Sequence, residues 1–409
     1  MTPAATLAAA IDLWTAIETD PRPADAVASG FFRARRYIGG TDRRAIAEQV
    51  WHALRARRRL EWWLARARAE ATPSLVLAAS LILRHPEALP ADPATLFTGA
   101  HFAPAPLSAA ETAALATLAG HTLDHPAMPV AVRWELPEFL APLLTARFGD
   151  GLGREAAAWL APAPLDLRVN TLRADRAEVA AALAEAGIEA TPTPLSQWGL
   201  RVAGRRNVTA TAPFRDGRVE IQDEGSQLVA LLTDARPGMA VADYCAGAGG
   251  KTLALAMTMA NKGRLIACDV HEARLAGAIR RLRRAGAFDR VLVDAPCTGT
   301  GTWRRNPDAR RRLTAEDLSA LVARQAMILD QAAPLLRVGG RLVYATCSVL
   351  EQENEAQVEA FLTRHPAFRV LPLAEAWPES RLVGSGPFLT LSPARHGTDG
   401  FFAAVLVRA

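Results

Sequence analysis

Two cysteines follow hydrophobic runs in the second half of this 409-residue chain. Cys297 ends the string Asp294-Ala-Pro-Cys297, which follows the hydrophobic run Val291-Leu-Val293. Cys347 lies in Tyr344-Ala-Thr-Cys347-Ser348, at the end of the hydrophobic run Leu342-Val-Tyr344. Both runs predict strands that bring a thiol to the carboxyl edge of an α/β sheet, where such folds bind their ligands. Two thiols on neighbouring strand ends indicate group transfer through a covalent intermediate.

A glycine-rich stretch after a third hydrophobic run predicts a cofactor loop, and it reads Cys245-Ala246-Gly247-Ala248-Gly249-Gly250-Lys251-Thr252. A P-loop needs Gly at the position of Cys245, and the dinucleotide fingerprint Gly-x-Gly-x-x-Gly lacks its third Gly here. The stretch instead favours a strand–loop–helix unit whose backbone N–H groups approach a ligand. Asp269 ends the next hydrophobic run and is placed to bind ribose hydroxyls. S-adenosylmethionine has a ribose for Asp269 and a carboxylate for the loop amides.

These residue types match the methylation of carbon 5 of cytosine. That carbon is a poor nucleophile, and addition of a thiolate at carbon 6 turns the ring into an enamine that can accept a methyl group. The reaction needs a cysteine, an acid at N3 and a base that removes the carbon-5 proton before the thiol leaves. Cys297, Cys347 and Asp294 supply that set. The alternative, that the cysteines are small buried hydrophobic residues, suits Cys245 and Cys268 better.

Composition narrows the class of protein. The net charge is +5, yet eleven arginines fall between residues 31 and 70, and a second basic cluster follows between Arg280 and Arg312. These clusters predict a surface that contacts phosphates, or else solvated helix faces in an Arg-rich sequence. The sequence contains no charge-free apolar run of about 18 residues, so no membrane span is expected. Four cysteines without a Cys-x-x-Cys pair argue against a disulfide framework and a zinc site. We expect a cytoplasmic monomer without a bound metal.

The elements that position these residues divide the chain into three predicted domains. Residues 1–128 show helical periodicity without strand alternation, with Thr72 before Pro73 and a capping box at Ser108-Ala-Ala-Glu111 as helix starts. Residues 129–220 mix helix and strand patterns and predict a small α+β domain. Residues 221–409 predict a doubly wound α/β domain. Its predicted strands are 240–245, 264–269, 289–294, 341–346 and 401–407.

From about Leu165 to its end, the chain closely resembles the RsmB/Sun family of RNA 5-methylcytosine methyltransferases. The motifs that carry the resemblance are Arg168-Val-Asn170, Gln222-Asp223-Glu-Gly-Ser226, Asp243 to Thr252, Asp294 to Gly301, Arg305-Asn-Pro-Asp308, Ala345-Thr-Cys347-Ser348 and His396 to Phe402. The resemblance implies a Rossmann-like S-adenosylmethionine methyltransferase domain that is preceded by a small RRM-like domain and by an all-α NusB-like RNA-binding domain. The implied substrate is RNA, with small-subunit rRNA as the expected species.

The resemblance also implies roles for individual residues. Cys347, in the Thr-Cys motif, is the implied nucleophile, and Cys297, in the Pro-Cys motif, assists product release. Asp294 contacts the base, Asp269 holds the cofactor ribose, and Lys251 lies by the active site. The loop from Cys245 to Lys251 binds the cofactor together with Asp294. An RNA-binding assembly factor with an inactive methyltransferase domain is the alternative. A DNA cytosine methyltransferase is disfavoured, because it has its nucleophile in the Pro-Cys motif.

One departure from the family lies between Arg284 and Asp289. The family has a further βα unit there, of about 20 to 30 residues, with an acidic residue that recognises adenine. Either the chain has lost an edge strand, or a stretch of the natural chain is absent from this sequence. We favour the second, because a direct connection would require the helix to change faces of the sheet to remain right-handed.

Overall fold

The computed structural model describes residues 1–84, 93–204, 206–268 and 287–409. These residues form two compact units. The first comprises Met1–Leu160 together with Arg305–Leu313, and the second comprises Ala161–Arg304 and Thr314–Ala409. None of the helices in these ranges is both long and apolar enough to cross a membrane. The predicted domain boundaries at 128 and 220 stay predictions.

The first unit contains helices and no strand in its described residues. The sequence supplies the N-caps: Thr72 accepts a hydrogen bond from the Leu75 amide, and Ser108 forms the predicted capping box with Glu111. The α-helices are α1 (Pro3–Thr19), α2 (Ala24–Ala34), α3 (Gly40–Arg55), α4 (Arg57–Arg66), α5 (Pro73–Arg84), α6 (Ala109–Ala116), α7 (Val130–Arg133), α8 (Ala141–Phe148) and α9 (Leu152–Leu160). Single 3₁₀ turns span Pro93–Leu96, Glu138–Leu140 and Gly149–Gly151. The apolar faces of helices α1 to α6 pack into one core around Trp14, Ile46 and Leu64.

The segment Arg305–Leu313, which includes a short helix at Ala309–Arg312, packs within the first unit. Asp308 accepts a hydrogen bond from the Ala24 amide at 3.1 Å. Arg310 donates to the Trp159 carbonyl at 2.7 Å and is buried, and this burial lowers the pKa of Arg310 to about 10. The prediction of a phosphate-contacting surface is therefore wrong for Arg310.

The second unit begins with a small antiparallel sheet. Its strands are β1 (Leu165–Val169), β2 (Ala190–Pro192), β3 (Gly199–Val202) and β4 (Val219–Ile221), in the order β2-β3-β1-β4. The helices α10 (Arg176–Glu185) and α11 (Ala212–Arg215) accompany it, with a 3₁₀ turn at Val208–Ala210. The apolar positions of β1, Leu167 and Val169, pack against Val179 and Leu183 of α10 in a separate core.

A seven-stranded sheet forms the larger part of the second unit within the described ranges. Its strands are β5 (Ala240–Asp243), β6 (Arg264–Ala267), β7 (Phe288–Asp294), β8 (Leu336–Thr346), β9 (Phe368–Val370), β10 (Leu389–Leu391) and β11 (Phe401–Arg408). The order is β10-β11-β8-β7-β5-β6, and β9 pairs with β11. Strands β6, β5, β7 and β8 are parallel, and β11 is antiparallel to β8. The five strands predicted in this region are confirmed. On the β6 edge, β6 is the last described strand, and residues 269–286 between β6 and β7 lie outside the description.

Both faces of this sheet are covered, as a doubly wound fold requires. Val291 and Val293 of β7 point into one hydrophobic cluster and Leu292 into the other. The remaining α-helices are α12 (Glu224–Leu232), α13 (Gly250–Thr258), α14 (Ala315–Ala332), α15 (Glu355–Arg364), α16 (Leu373–Ala376) and α17 (Pro393–His396). The remaining 3₁₀ turns are Thr300–Thr302, Ala333–Leu335, Glu351–Glu353 and Pro378–Leu382. The fold class predicted from the sequence is confirmed.

We predict that Gly301→Ala destabilises the protein. The Gly301 amide donates to the Cys347 carbonyl and its carbonyl accepts from the Gly400 amide, each at 2.9 Å. A Cβ at Gly301 would lie 2.2 Å from the Gly400 carbonyl oxygen, so the two backbones must separate, at a cost of about 1–3 kcal/mol. Calorimetric melting should show the loss. Gly386→Ala, where nothing lies within 4 Å of an added Cβ, is the matched control, and equal melting temperatures would contradict the prediction.

Candidate active site

The two predicted cysteines lie in contact. Strands β7 and β8 are parallel neighbours in which Asp294 is opposite Ala345, so their carboxyl ends coincide. The Ala295 amide extends the pairing by donating to the Ala345 carbonyl at 2.8 Å. The chain continues from both strand ends into short turns, and the Cys297 and Cys347 Sγ atoms lie 3.4 Å apart. The structure therefore brings together the thiols that sequence patterns alone placed on neighbouring strand ends.

The two thiols have different surroundings. The hydrogen bond to Cys347, together with burial and the nearby negative charges of Cys347 and Glu353, raises the pKa of the Cys297 thiol well above its usual range. The raised pKa keeps Cys297 in the thiol form at neutral pH. Either sulfur can be the donor in the contact between the two Sγ atoms.

An ion pair of two predicted site residues also belongs to the candidate active site. The Lys251 ammonium donates to Asp294 Oδ2 at 2.7 Å, with 12% and 26% of the two side chains exposed, and it lies 5.4 Å from the centre of the Phe401 ring. Burial opposes the charged ammonium, but the attraction and hydrogen bond of Asp294, with smaller contributions from Cys347 and Asp243, raise the pKa of Lys251. Lys251 therefore carries a positive charge near the thiols.

The predicted cofactor loop has the shape of a ligand cradle. It follows β5, turns through Gly247 and Gly249 at φ angles of +52° and +87°, and leads into α13 at Gly250. A Cβ added at Gly247 or Gly249 would meet no atom within 4 Å. Because both glycines have left-handed backbone and face open space, the loop can approach a ligand closely.

Asp243, at the end of β5, supplies a buried acceptor beside this loop. Its Oδ2 accepts from Thr252 Oγ1 at 2.6 Å, while its Oδ1 has no hydrogen-bond partner in the described part of the chain. Burial raises the pKa of Asp243 to about 6, against the opposing effect of the Thr252 hydrogen bond. A carboxylate oxygen in this position is suited to an ammonium group, since a cation offsets the cost of burying it.

These groups fit S-adenosylmethionine. The amides at the start of α13 can receive the carboxylate of its methionine part, and Asp243 Oδ1 can receive the ammonium. Ala246 and Ala248 complete the loop, and the Ala246 amide is already bonded to the Cys268 carbonyl at 2.7 Å. Asp269, the residue predicted to hold the ribose, lies outside the described residues.

Sequence reasoning missed a buried arginine at this loop. Arg168, in the middle of β1, is 4% exposed and donates from Nη1 to the Gly250 carbonyl at 2.7 Å and to Gln222 Oε1. Burial lowers the pKa of Arg168 to about 10. The sequence carried no signal of this burial, because Arg168 falls on a polar position of the alternating strand Leu165-Asp-Leu-Arg-Val169. Arg168 links the small sheet to the cofactor loop.

Comparisons with known proteins agree with this geometry. A family profile described as 16S rRNA methyltransferase RsmB/F matches residues 281–407, and one described as an RsmF/B-like ferredoxin-like domain matches residues 136–209. The probable ribosomal RNA small subunit methyltransferase B of Synechocystis sp. is 34% identical over 312 residues, covering 70% of each chain. The Bacillus subtilis protein of the same description is 36% identical over 309 residues, covering 68% of each. The crystal structure of a methyltransferase homolog from Pyrococcus horikoshii has a TM-score of 0.58 and 28% identity, over 68% of this chain and 97% of that one.

These two relatives cover two thirds or more of the chain at identities above 30%, and the first profile spans Asp294, Cys297 and Cys347. The protein uses S-adenosylmethionine as its cofactor. It belongs to the RsmB/F family of 16S rRNA methyltransferases.

Proposed function

We propose that the protein transfers a methyl group to carbon 5 of a cytosine in small-subunit rRNA, through an intermediate in which Cys347 is bonded to carbon 6. The contact of the Cys297 and Cys347 Sγ atoms at 3.4 Å carries this proposal. One thiol suffices to activate the ring, and a second acid–base group is required to release a product with a substituent on carbon 5. The names of the relatives, which specify ribosomal RNA of the small subunit, support the choice of RNA species.

The first step is the addition of Cys347 to the ring. As a thiolate, Cys347 forms a bond to carbon 6, and the electron pair of the carbon 5–carbon 6 double bond becomes available at carbon 5. Asp294 accepts a hydrogen bond from the amino group of the base, while the Lys251 ammonium that Asp294 binds offsets the negative charge that develops on the ring. Fixed charges at the site of charge development stabilise the transition state without reorganisation.

S-adenosylmethionine, when bound, supplies the methyl group that carbon 5 takes up. Carbon 5 then carries both a methyl group and a proton. A base removes this proton, the double bond re-forms, and the bond from carbon 6 to Cys347 breaks, which returns Cys347 as a thiolate. Cys297, whose Sγ lies 3.4 Å from that of Cys347, acts as this base.

The surroundings of Cys297 determine at which stage of the reaction it can act as a base. The two effects of Cys347, its hydrogen bond and its negative charge, are among the main causes of the raised Cys297 pKa. Both disappear when Cys347 is bonded to carbon 6, so Cys297 gives up its proton to solvent more easily after addition than before it. The proton taken from carbon 5 then restores the Cys297 thiol. Cys297 therefore becomes a base only at the stage that needs one.

The two cysteines are predicted to fail differently when mutated. Cys347→Ala should abolish methylation and any covalent adduct. Cys297→Ala should add to the ring and transfer the methyl group, then stall, so that a denaturing gel with RNA and S-adenosylmethionine shows an RNA-linked band. The double mutant should lack the band, and Cys268→Ala, at a thiol outside the proposed site, should turn over without one. An adduct that accumulates on Cys347→Ala would reverse the two roles.

Cofactor affinity is predicted to depend on pH through Asp243. With its pKa raised to about 6, Asp243 is ionised above that pH, and only the ionised form attracts the cofactor ammonium. S-adenosylmethionine should therefore bind more weakly as the pH falls, by about tenfold between pH 7 and pH 5. Calorimetric titration of Asp243→Asn should give weak binding with a flat profile, with the exposed Asp216→Asn as control. A flat profile for the wild-type protein would remove Asp243 from the ammonium site.

We propose that RNA contacts the first unit around the turn between α2 and α3. Six arginines of the predicted cluster make internal hydrogen bonds or ion pairs, and they are Arg33, Arg43, Arg55, Arg57, Arg58 and Arg59. Arg33, Arg36 and Arg44 are exposed, and among the described residues no acidic side chain pairs with them. Tyr37, between them, is 79% exposed. An exposed aromatic ring among exposed arginines suits single-stranded RNA, because bases stack on the ring and phosphates bind the cations.

The arginines of this turn are predicted to set part of the salt dependence of RNA binding. The triple change to Ala at Arg33, Arg36 and Arg44 should reduce the slope of log K against log salt by about 2 for a single strand, because three phosphate contacts are lost. Filter binding to an rRNA fragment measures it. A control with three other exposed arginines changed, Arg154, Arg364 and Arg369, should keep the wild-type slope. An unaltered slope in the variant with Arg33, Arg36 and Arg44 changed would show that these arginines face solvent and do not contact RNA.

A further inference from the structure

A buried carboxylate holds the backbone on both sides of Cys297. Glu353 is fully buried, and its Oε1 accepts from the Thr298 amide and from Gln325 Nε2, each at 2.9 Å. Gln325 Nε2 also donates to the Pro296 carbonyl at 2.9 Å. The residues immediately before and after Cys297 are therefore fixed by one Glu–Gln pair, while the cysteine side chain is left to contact Cys347.

Asn354, the residue after Glu353, holds the residues on both sides of Cys347. Asn354 is 1% exposed. Its Oδ1 accepts from Thr346 Oγ1 at 2.5 Å, and its Nδ2 donates to the Ser348 carbonyl at 3.0 Å. Thr346 and Ser348 are the two neighbours of Cys347. Two consecutive side chains thus hold the residues that flank both thiols.

The chemistry of Glu353 argues against a purely structural role. No cationic side chain pairs with it in the described part of the chain, so this carboxylate is buried on hydrogen bonds alone. Burial of a carboxylate costs more free energy than that of an uncharged amide of the same shape. A glutamine could keep the acceptor oxygen for the Thr298 amide and Gln325, and its Nε2 could donate to Thr298 Oγ1, which donates to Glu353 Oε2 at 2.5 Å. An amide could therefore satisfy the same partners, and the hydrogen bonds do not require a carboxylate. The negative charge lies next to Cys297, where it disfavours a second negative charge on the thiol.

We propose that Glu353 and Asn354 are positioning residues that set the contact between the two thiols, and that the charge of Glu353 keeps Cys297 the protonated member of the pair. The first part requires only the geometry of the two turns. The second rests on the proposed function, in which Cys297 must remain a thiol until Cys347 has bonded to the ring.

The geometric part is tested with phenylarsine oxide, which forms two arsenic–sulfur bonds and releases water when two thiols lie side by side. Glu353→Ala and Asn354→Ala should each weaken its binding to the full-length protein by about tenfold or more, because the turns no longer hold the thiols together. Glu353→Gln should bind like the wild type, since the acceptor oxygen remains. Glu351→Ala, at an exposed neighbour, is the control, and Cys297→Ala gives the baseline without the pair.

Alanine variants that retain the wild-type circular dichroism and arsenical affinity would overturn the geometric part. If the alanine variants do not fold, the same measurement is made on Gln325→Leu. This change removes the hydrogen bonds to Pro296 and Glu353 and leaves Glu353 and Asn354 in place. Gln325→Leu should weaken arsenical binding in the same way, and wild-type affinity there would overturn the proposal. This readout requires no methyl transfer, so it is independent of the proposed reaction.

The charge is tested by the pH dependence of thiol alkylation. In a Cys347→Ala background, the rate at which iodoacetamide modifies Cys297, followed by peptide mass spectrometry, gives the titration of that thiol. Adding Glu353→Gln should move the midpoint to lower pH, because a negative charge is removed while the hydrogen-bonded shape is kept. An unchanged midpoint would overturn the role of the charge. A failure of the RNA-adduct experiment with a shifted midpoint would instead count against the proposed reaction alone.

Discussion

The parallel pairing of β7 with β8 is the constraint on which the candidate active site depends. The side chains of both strands alternate between two hydrophobic clusters, so a slip of one residue would turn each strand's buried set toward the wrong face. Packing therefore fixes Asp294 opposite Ala345. Once that register is set, the turns after the two strands begin at the same level of the sheet, and the thiols that they carry meet.

Contact alone would make the two cysteines equivalent, and their surroundings make them different. Cys297 lies beside the buried Glu353, whose charge disfavours a thiolate, whereas Lys251 brings a positive charge close to Cys347. Because two thiolates in contact repel each other, the first proton to leave decides the roles. A negative charge that acts on Cys297 and a positive charge that acts on Cys347 thus favour the proposed assignment of different roles to two chemically identical groups.

Much of this arrangement could be predicted from the sequence, for identifiable reasons. Strands β5, β6, β7, β8 and β11 are hydrophobic runs, and the capping box at Ser108 has a local pattern. The strands that the sequence patterns did not indicate, β2, β4, β9 and β10, have three residues each, too few for alternation to be visible. Arg168, Glu353 and Asn354 were not predicted as site residues, because a charged or polar side chain carries no mark of its burial. Neither could the sequence show that the segment around Arg310 packs with the helices of the first unit.

Three buried charged residues of the second unit lie at the proposed reaction path. Arg168 and Asp243 lie at the cofactor loop, and Glu353 lies behind the thiols. Apolar residues of equal volume would in general be no less stable, so stability does not explain their position. Each one instead bonds to a group at the proposed site: Arg168 to the Gly250 carbonyl, Asp243 to Thr252 of the cofactor loop, and Glu353 to the turn that carries Cys297. A site built in this way loses little free energy to reorganisation when charge develops, and it depends on the hydrophobic clusters on both faces of the sheet to offset the cost of burying those groups.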